Sequence, residues 1–359
     1  MRDLLEQLLE LLAEEPVALA RIVDRTGAGP RDTGAAMAVG ASGRVIGSLS
    51  GGCVESTIVT TARHVLRDGT ACSEHFAAAD ELTVGLPCGG EIEVFVEPLG
   101  GDQVPLLREL RAALGAHVAV AYATTLESHP DRKLLFPGRI EPWRELDRDA
   151  AALLAAGRNG LIGAQDSTPA EACRPRAFVQ VFRSPARMIL AGANDFTRAL
   201  TVAATQLGYH VTVVDARETF TTPARFPAAD AVVVDRPHRY VAAEHEAGRI
   251  DDRTVVCVLT HDPKFDVPTL TTALRLPAVG FLGALGSRRA HADRTTRLRD
   301  AGLTEPEIAR IHSPLGLDLG AHTPAETAIS ILAQILAERA GASAAALAAL
   351  DGPIHPRRP

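Results

Sequence analysis

The sequence lacks the marks of several protein classes. Its five cysteines are an odd, scattered set with no CxxC spacing, which fits neither a secreted disulfide framework nor a zinc ribbon. No apolar run reaches the roughly 18 residues of a membrane-spanning helix. Residues 1–16 contain five acidic side chains and lack the basic start of a signal peptide. These absences predict a soluble, cytoplasmic protein.

Positive charge is also in deficit. The 37 Lys and Arg residues against 44 Asp and Glu residues give a formal charge of −7, so the chain offers no general attraction to a nucleic acid. Hydrophobic residues make up 46% and charged residues 23% of the sequence, the balance of a globular chain. Since domains hold about 100–200 residues each, the 359 residues predict two domains.

The first half of the chain predicts a small mixed α+β domain. Leucines at helical spacing predict an amphipathic helix over residues 2–15. Short apolar runs separated by glycine predict strands, and a capped periodic segment predicts a second helix. The predicted strands are residues 18–23, 35–39, 45–49, 91–97 and 118–123, and the second helix is residues 54–67. We place the domain boundary at Ser184, giving domains of residues 1–184 and 185–359.

The second half predicts an α/β domain with a Rossmann-like parallel sheet. Five short, apolar and mostly β-branched segments alternate with helices, as in doubly buried parallel strands. They are residues 188–190, 211–214, 231–234, 255–259 and 279–282. A capping box of Thr323 and Glu326 predicts the start of the final helix, residues 324–340.

The most unusual segment is residues 47–55, GSLSGGCVE, in which a strand turns into a helix. Cys53 would lie at the helix start, where free amides and the helix dipole can bind an anion and lower a thiol pKa. Glu55 could transfer a proton or accept hydrogen bonds. We take Cys53 and Glu55 as candidate catalytic residues, and Ser50, Gly51 and Gly52 as candidate cofactor contacts. A tight turn with a buried cysteine is an equally weighted alternative.

A second glycine and cysteine segment is residues 85–93, GLPCGGEIE. Cys88, Gly89 and Gly90 repeat the pairing of a cysteine with two glycines, which let backbone approach a ligand closely. Two thiolates at one site suit a molybdenum or sulfur-transfer centre better than magnesium. The other three cysteines lack glycine neighbours and are explained by packing. They are Cys72, Cys173 and Cys257.

The first strand of the second domain leads into a layout similar to a dinucleotide site. Gly192 follows the strand, and Asp215 ends the next one, where it could bind a ribose hydroxyl beside Arg217. However, of the G-x-G-x-x-G pattern only Gly192 is present, and Asn194 stands at the second glycine position. The segment therefore supports the fold more than the cofactor, and Asp215 is as readily a turn or cap residue.

Two later strand ends carry polar groups, and ligands of open parallel sheets bind beyond the carboxyl ends of strands. His261 and Asp262 offer an acid/base pair, with a simple turn as the alternative. Residues 283–289, GALGSRR, combine backbone donors with two arginines before a helix, so we predict an anion or phosphate site there. Its candidate contacts are Gly283, Gly286, Ser287, Arg288 and Arg289.

Taken together, these segments resemble the XdhC/CoxI-type family, the accessory proteins of xanthine dehydrogenase and related molybdenum hydroxylases. In the first domain the resemblance lies in SGGCVE at residues 50–55 and LPCGG at residues 86–90. In the second it lies in residues 226–230, 259–264, 283–289, 302–304 and 312–320. The sequence departs from the family at residues 192–195, GAND, where a Gly-Ala-Gly pattern is usual.

The resemblance implies a cofactor chaperone rather than a catalyst. Such proteins bind molybdenum cofactor (molybdopterin), protect it while a cysteine desulfurase supplies the terminal sulfido ligand, and deliver it to the apo molybdenum hydroxylase. Cys53, joined by Cys88, would then meet the molybdenum or its sulfur, and a homodimer is expected. An alternative is an NAD(P)-dependent oxidoreductase with His261 as acid/base and Asp215 on the ribose. A third is a scaffold that docks the desulfurase without touching the cofactor.

Overall fold

A computed structural model describes residues 1–27, 31–77, 90–139, 141–163 and 175–351. The chain divides into two compact units: Met1–Ser184 together with the described residues Leu350 and Asp351, and Pro185–Ala349. Among the helices of these described ranges, none combines the length and the apolar surface needed to cross a bilayer.

The first unit contains a five-stranded antiparallel sheet in the order β3-β2-β1-β5-β4. Its strands are β1 (Val17–Thr26), β2 (Ala36–Gly40), β3 (Val45–Gly47), β4 (Cys72–Phe76) and β5 (Glu91–Leu99), and its helices are α1 (Leu5–Glu14) and α2 (Glu55–Asp68). Because side chains of a strand alternate between faces, Leu19 joins the core beneath α1, while Ala20 and Ile22 join the core beneath α2. The central strand β1 is therefore buried on both faces, and α2 is held against the sheet that ends in β3.

A second antiparallel sheet in this unit has the order β7-β6-β9-β8. Its strands are β6 (Val120–Thr125), β7 (Arg132–Leu135), β8 (Gly160–Ile162) and β9 (Ala177–Phe182), and the helices around it are α3 (Val104–Gly115) and α4 (Asp147–Ala156). Tyr122 packs with Leu107 of α3, and Ala123 packs with Leu154 of α4. Helices therefore cover both faces of this sheet.

The second unit is a parallel sheet in the order β12-β11-β10-β13-β14. Its strands are β10 (Arg187–Ala191), β11 (His210–Asp215), β12 (Ala231–Val234), β13 (Val255–Val258) and β14 (Phe281–Ala284). Its helices are α5 (Asp195–Gln206), α6 (Pro237–Glu246), α7 (Pro263–Arg275), α8 (Arg288–Asp300), α9 (Glu305–Ile308) and α10 (Pro324–Ala340). Leu200 and Ile331 pack on one face, and Leu270 and Leu298 pack on the other. The predicted α/β class with a Rossmann-like domain is confirmed.

The strand order of this sheet reverses at β10, which has β11 on one side and β13 on the other. The connections after β10 and β13 therefore leave the sheet toward opposite faces, and a crevice opens beyond their carboxyl ends. This topology brings the ends of β10, β11 and β13 to one edge of the sheet.

Several observed elements differ in their bounds from the predicted ones, and two of the differences have a clear physical reason. We predicted that the strand over residues 91–97 ends before Pro98, but β5 continues to Leu99. The neighbouring strand β4 starts at Cys72, which lies opposite Val96. At Pro98, β5 therefore has no partner on the β4 side, so the N–H that proline lacks is not needed for a hydrogen bond to β4. The predicted strand 279–282 lies two residues later, because β13 pairs Val255 with Phe281.

Candidate functional site

The loop between β3 and α2 is wrapped around the side chain of Glu55. Both carboxylate oxygens accept hydrogen bonds from the loop that precedes the residue. Oε1 accepts from Ser48 Oγ at 2.8 Å and from the amides of Leu49, Ser50 and Gly51 at 3.1, 2.8 and 3.0 Å. Oε2 accepts from Ser50 Oγ at 2.6 Å and from the amides of Gly52 and Val54 at 2.9 and 3.2 Å.

These bonds decide the charge of Glu55. Burial alone would raise the pKa of this carboxyl, but the hydrogen bonds from Ser50 and Ser48 outweigh burial and hold the pKa well below its usual range. The group stays ionised at neutral pH, and loop donors occupy both of its oxygens. Of the two roles left open for Glu55, this geometry favours the hydrogen-bonding partner that shapes the loop, and the catalytic role stays a prediction.

The glycines of this loop serve its backbone conformation. Gly51 has φ +83° and Gly52 has φ +131°, which L side chains rarely adopt. A Cβ at either position would meet nothing within 4 Å, so the surface beside them is open. Their amides, predicted as cofactor contacts, donate to Glu55 instead. A ligand at this loop must therefore find other donors.

Cys53 lies at the edge of this loop with a free, half-buried thiol. Its amide donates to Ser50 Oγ at 2.9 Å, and its side chain packs against the core beneath α2. The neighbours Leu49 and Val54 are fully buried and anchor the loop on both sides of the cysteine. The sulfur is thus held on a fixed backbone and keeps partial access to solvent. Arg31 adds positive charge nearby by donating to the Ser48 carbonyl at 2.9 Å.

The other cysteines have different surroundings. Cys88 and Gly89, the second predicted cysteine segment, lie outside the described residues, as does Cys173, while Gly90 is buried just before β5. Cys72 is exposed on β4, so packing does not explain it. Burial raises the pKa of the Cys257 thiol in β13 to about 12, which leaves that group inert. Within the described ranges, no cluster of three or more His, Cys, Asp or Glu side chains could hold a metal ion.

In the second unit, Gly192 lets two strand ends come together. It has φ +118°, and a Cβ there would lie 2.7 Å from Thr260 Cγ2 and 3.0 Å from the Thr260 amide. Asn194 accepts from the Thr197 amide at 3.0 Å as the N-cap of α5, and donates to the Leu259 carbonyl at 2.8 Å. Gly192 and Asn194 thus bring the end of β10 against the end of β13.

Asp215 is engaged by the protein itself. The carboxylate is 1% exposed and accepts from the Ala193 amide at 2.8 Å and from Arg217 Nη2 at 2.6 Å. Burial would raise its pKa, but the bonds from Arg217 and Ala193 outweigh burial and lower it. The carboxylate that was predicted to bind a ribose hydroxyl is therefore already engaged by Ala193 and Arg217. The alternative, in which Asp215 fixes the turn, fits this geometry.

A cleft of about 410 Å³ lies beyond these strand ends, and we call it the Phe220 cleft. His261 and Asp262 line it as predicted, although Asp262 also caps α7 by accepting from the Lys264 amide at 3.0 Å. Sequence reasoning missed Phe220, Arg225 and Phe265, which line the same cleft. The signal that identifies Phe220 and Arg225 is the run of arginine and phenylalanine in residues 217–226, directly after a strand end, whereas Phe265 follows the end of β13.

The residues of the predicted phosphate site, 283–289, differ in their surroundings: some are buried in a strand and others are exposed on a helix. Gly283 is buried in β14, where a Cβ would lie 2.4 Å from Leu315 Cδ1, and Ser287 caps α8 by accepting from the Ala290 amide at 3.1 Å. Gly286 has φ +151° in the connecting turn. Arg288 and Arg289 are exposed in the first turn of α8, without an ion pair to any described residue. The lining of the Phe220 cleft includes none of these described residues.

A buried ion pair fixes the connections next to the cleft. Arg294 of α8 lies 3.1 Å from Asp266 of α7, and both side chains are less than 10% exposed. Arg294 also donates to the Leu285 carbonyl at 2.8 Å and to Ser313 Oγ at 3.0 Å, while Asp266 accepts from Thr260. The ends of β13 and β14 are thereby tied to one pair of helices.

Two family models match this chain. The model described as the XdhC and CoxI family matches residues 11–77, which include the Cys53 loop, and the model described as the XdhC Rossmann domain matches residues 188–335. The chain belongs to the XdhC and CoxI family. The resemblance identified from the motifs is thus confirmed.

Relatives of this family member cover nearly its full length. A probable xanthine dehydrogenase subunit of Bacillus subtilis is 29% identical over 349 residues, 94% of this chain and 96% of the relative. "Molybdenum cofactor insertion chaperone PaoD" of Escherichia coli is 26% identical over 330 residues, 92% of this chain and 85% of that protein. A solved structure described as a xanthine dehydrogenase from Bacillus halodurans has a TM-score of 0.68 and 25% identity, covering 95% of this chain and 97% of its own.

Proposed function

We propose that this member of the XdhC and CoxI family is an accessory protein of molybdenum hydroxylases. It binds molybdenum cofactor as cargo, supports its sulfuration, and inserts it into an apo-enzyme of the xanthine dehydrogenase type. The relatives support this proposal, since one is named for xanthine dehydrogenase and another for cofactor insertion.

The observation that carries the proposal is the Cys53 loop. A thiolate is a soft ligand that suits molybdenum and sulfur chemistry, and the free thiol of Cys53 is half-buried on a loop that Glu55 holds in one conformation. Pre-organisation of this kind lowers the entropy lost when a ligand binds. Arg31, bonded to the same loop, supplies positive charge for an anionic cargo.

The proposal includes partners and further contacts. A cysteine desulfurase provides the sulfur, an apo molybdenum hydroxylase receives the cargo, and the protein acts in the cytoplasm as a homodimer. Cys88, Gly89 and Gly90 remain proposed cofactor contacts beside Cys53. We do not extend the proposal to NAD(P)-dependent oxidation, because Arg217 and the Ala193 amide engage Asp215.

The test is to measure molybdenum and pterin in protein purified from a molybdenum-replete host. We expect wild type to carry both and Cys53→Ser to lose at least about tenfold, since the serine hydroxyl is a poor soft-metal ligand. Cys72→Ser is the matched control, because Cys72 is also a free cysteine of the first unit.

Equal molybdenum in wild type and Cys53→Ser would remove the thiol from the mechanism. If, in addition, neither protein carried cofactor while both still bound the desulfurase, the scaffold alternative would replace the proposal.

A further inference from the structure

The Phe220 cleft displays an aromatic ring that is partly exposed to solvent. The side chain of Phe220 is 44% exposed, and the guanidinium carbons of Arg217 and Arg225 lie 5.1 and 5.3 Å from its ring centroid. An exposed aromatic ring and the guanidinium groups beside it are both surfaces on which a planar heterocycle can stack. Phe265 lines the same cleft.

Of the two arginines beside the Phe220 ring, only Arg225 lacks an ion pair within the described part of the chain. Arg217 is neutralised by its bond to Asp215 at 2.6 Å. Arg225 donates to the Phe220 carbonyl at 3.2 Å, and among the described residues no carboxylate lies within ion-pair distance of it. An anionic group of a ligand stacked on Phe220 would therefore be drawn to Arg225.

The same cleft disfavours the pyrophosphate of a dinucleotide. In dinucleotide sites the pyrophosphate lies at the start of the first helix of the fold. Here the N-cap of α5 is taken by Asn194, and Asp195 follows with a carboxylate that pairs with Arg198 at 3.3 Å. Because the Asn194 side chain already takes the Thr197 amide at this helix start, the anion of the ligand belongs at Arg225.

We propose that the Phe220 cleft binds a phosphorylated planar heterocycle, with the ring on Phe220 and the phosphate at Arg225. The exposed carboxylate of Asp262, which lines the same cleft, would accept a hydrogen bond from an amino group of the ring. A nucleoside monophosphate and a phosphorylated pterin share this chemistry. With a pterin ligand the site rests on the proposed function, because molybdopterin is a phosphorylated pterin, whereas with a nucleoside monophosphate it goes beyond that function.

Titration calorimetry of the full chain tests the assignment. The ligands are 5′-AMP, 5′-CMP and neopterin monophosphate, each beside its dephosphorylated form, together with inorganic phosphate. We expect at least one phosphorylated ring to bind, and both its dephosphorylated form and phosphate alone to bind at least about tenfold more weakly. The identity of the tightest ligand distinguishes the nucleotide from the pterin source.

Two variants locate the ring and the phosphate. Phe220→Leu keeps an apolar side chain but removes the stacking surface, so affinity for the phosphorylated ring should fall about tenfold. Arg225→Gln should weaken the phosphorylated form by a similar factor while leaving the dephosphorylated form unchanged. Arg239→Gln, an exposed arginine of α6 outside the cleft, is the matched control.

Three results would overturn the inference. They are no binding of any phosphorylated ring at millimolar concentration, binding that both cleft variants retain, and tighter binding of NAD(H) or NADP(H) than of every monophosphate. Cys53→Ser separates this site from the proposed function: it should keep wild-type affinity for the monophosphate. Molybdenum loading that depends on Cys53 would survive a failure of this inference.

Discussion

Glu55 shows how one side chain can organise a whole loop. Its carboxylate accepts seven hydrogen bonds from residues 48–54. Amides arranged around an anion usually indicate a ligand site, but here the anion is part of the chain. The loop is therefore shaped by the protein's own carboxylate, and the position of Cys53 depends on Glu55.

Replacing Glu55 with glutamine should destabilise the first unit. The glutamine amide would direct N–H groups at donors such as the amides of Gly52 and Val54, leaving them without an acceptor. We expect the free energy of unfolding at pH 7 to fall by about 2 kcal/mol, the size of a hydrogen bond to a charged group. Urea unfolding measures this change.

The pH dependence of this effect has a definite sign. Because the folded pKa of Glu55 is lowered, its contribution is complete above the ordinary carboxyl pKa of about 4.3 and is lost as pH falls toward the folded value. The difference between wild type and Glu55→Gln should thus be smaller at pH 3 than at pH 7. Glu10→Gln, an exposed position on α1, is the control. A difference that grows on acidification would contradict the role of the ionised carboxylate.

At the residue scale, the sequence predicted which loop matters but not which atoms bind each other. Strand, Gly-Gly turn, cysteine and helix are readable from spacing in residues 47–55. Amides of Gly51 and Gly52 would suit a bound anion or the carboxylate of Glu55 equally well, and only the three-dimensional path of the turn decides between them. The same holds for Asp215, whose neighbour Arg217 occupies the acceptor that a ribose would need.

Among the elements, the close approach of β10 and β13 requires glycine at position 192, because a Cβ there would clash with Thr260. Gly192→Ala should lower the free energy of unfolding by about 3 kcal/mol, because strained φ and a clash with Thr260 add together. Gly208→Ala is the matched control: its φ is +77°, but a Cβ there would meet nothing within 4 Å. We expect that control to cost about 1 kcal/mol. Guanidinium unfolding compares the two, and equal losses would mean that space at Gly192 is not limiting.

Elements with strong periodicity were predictable, and elements defined by their neighbours were not. The parallel strands of the second unit are short β-branched runs, and Ala231–Val234 has the predicted bounds. The strand Arg132–Leu135 lies in a polar stretch that carries no such pattern. It exists because it pairs with β6, from Ala121 to Thr124. Tertiary pairing of this kind overrides local propensity.

On the scale of the whole molecule, the two units share no hydrophobic core cluster among the described residues. Within the described residues, every core cluster draws its members from one unit: the clusters around Leu19, Ile22 and Ala123 from Met1–Ser184, and those around Leu200 and Leu270 from Pro185–Ala349. Each unit thus buries its own apolar surface, which is the main source of its stability.

Separate cores predict two calorimetric transitions that respond to different substitutions. Glu55→Gln should lower the transition of the first unit by about 6 °C, and Gly192→Ala should lower that of the second by about 9 °C, for units of this size. In each variant the other transition should stay in place, since Glu55 and Gly192 share no partner among the residues that the structure describes. Differential scanning calorimetry of the full chain measures both. If both substitutions moved one common transition equally, the two units would unfold as a single cooperative body, and the separate cores would not define separate domains.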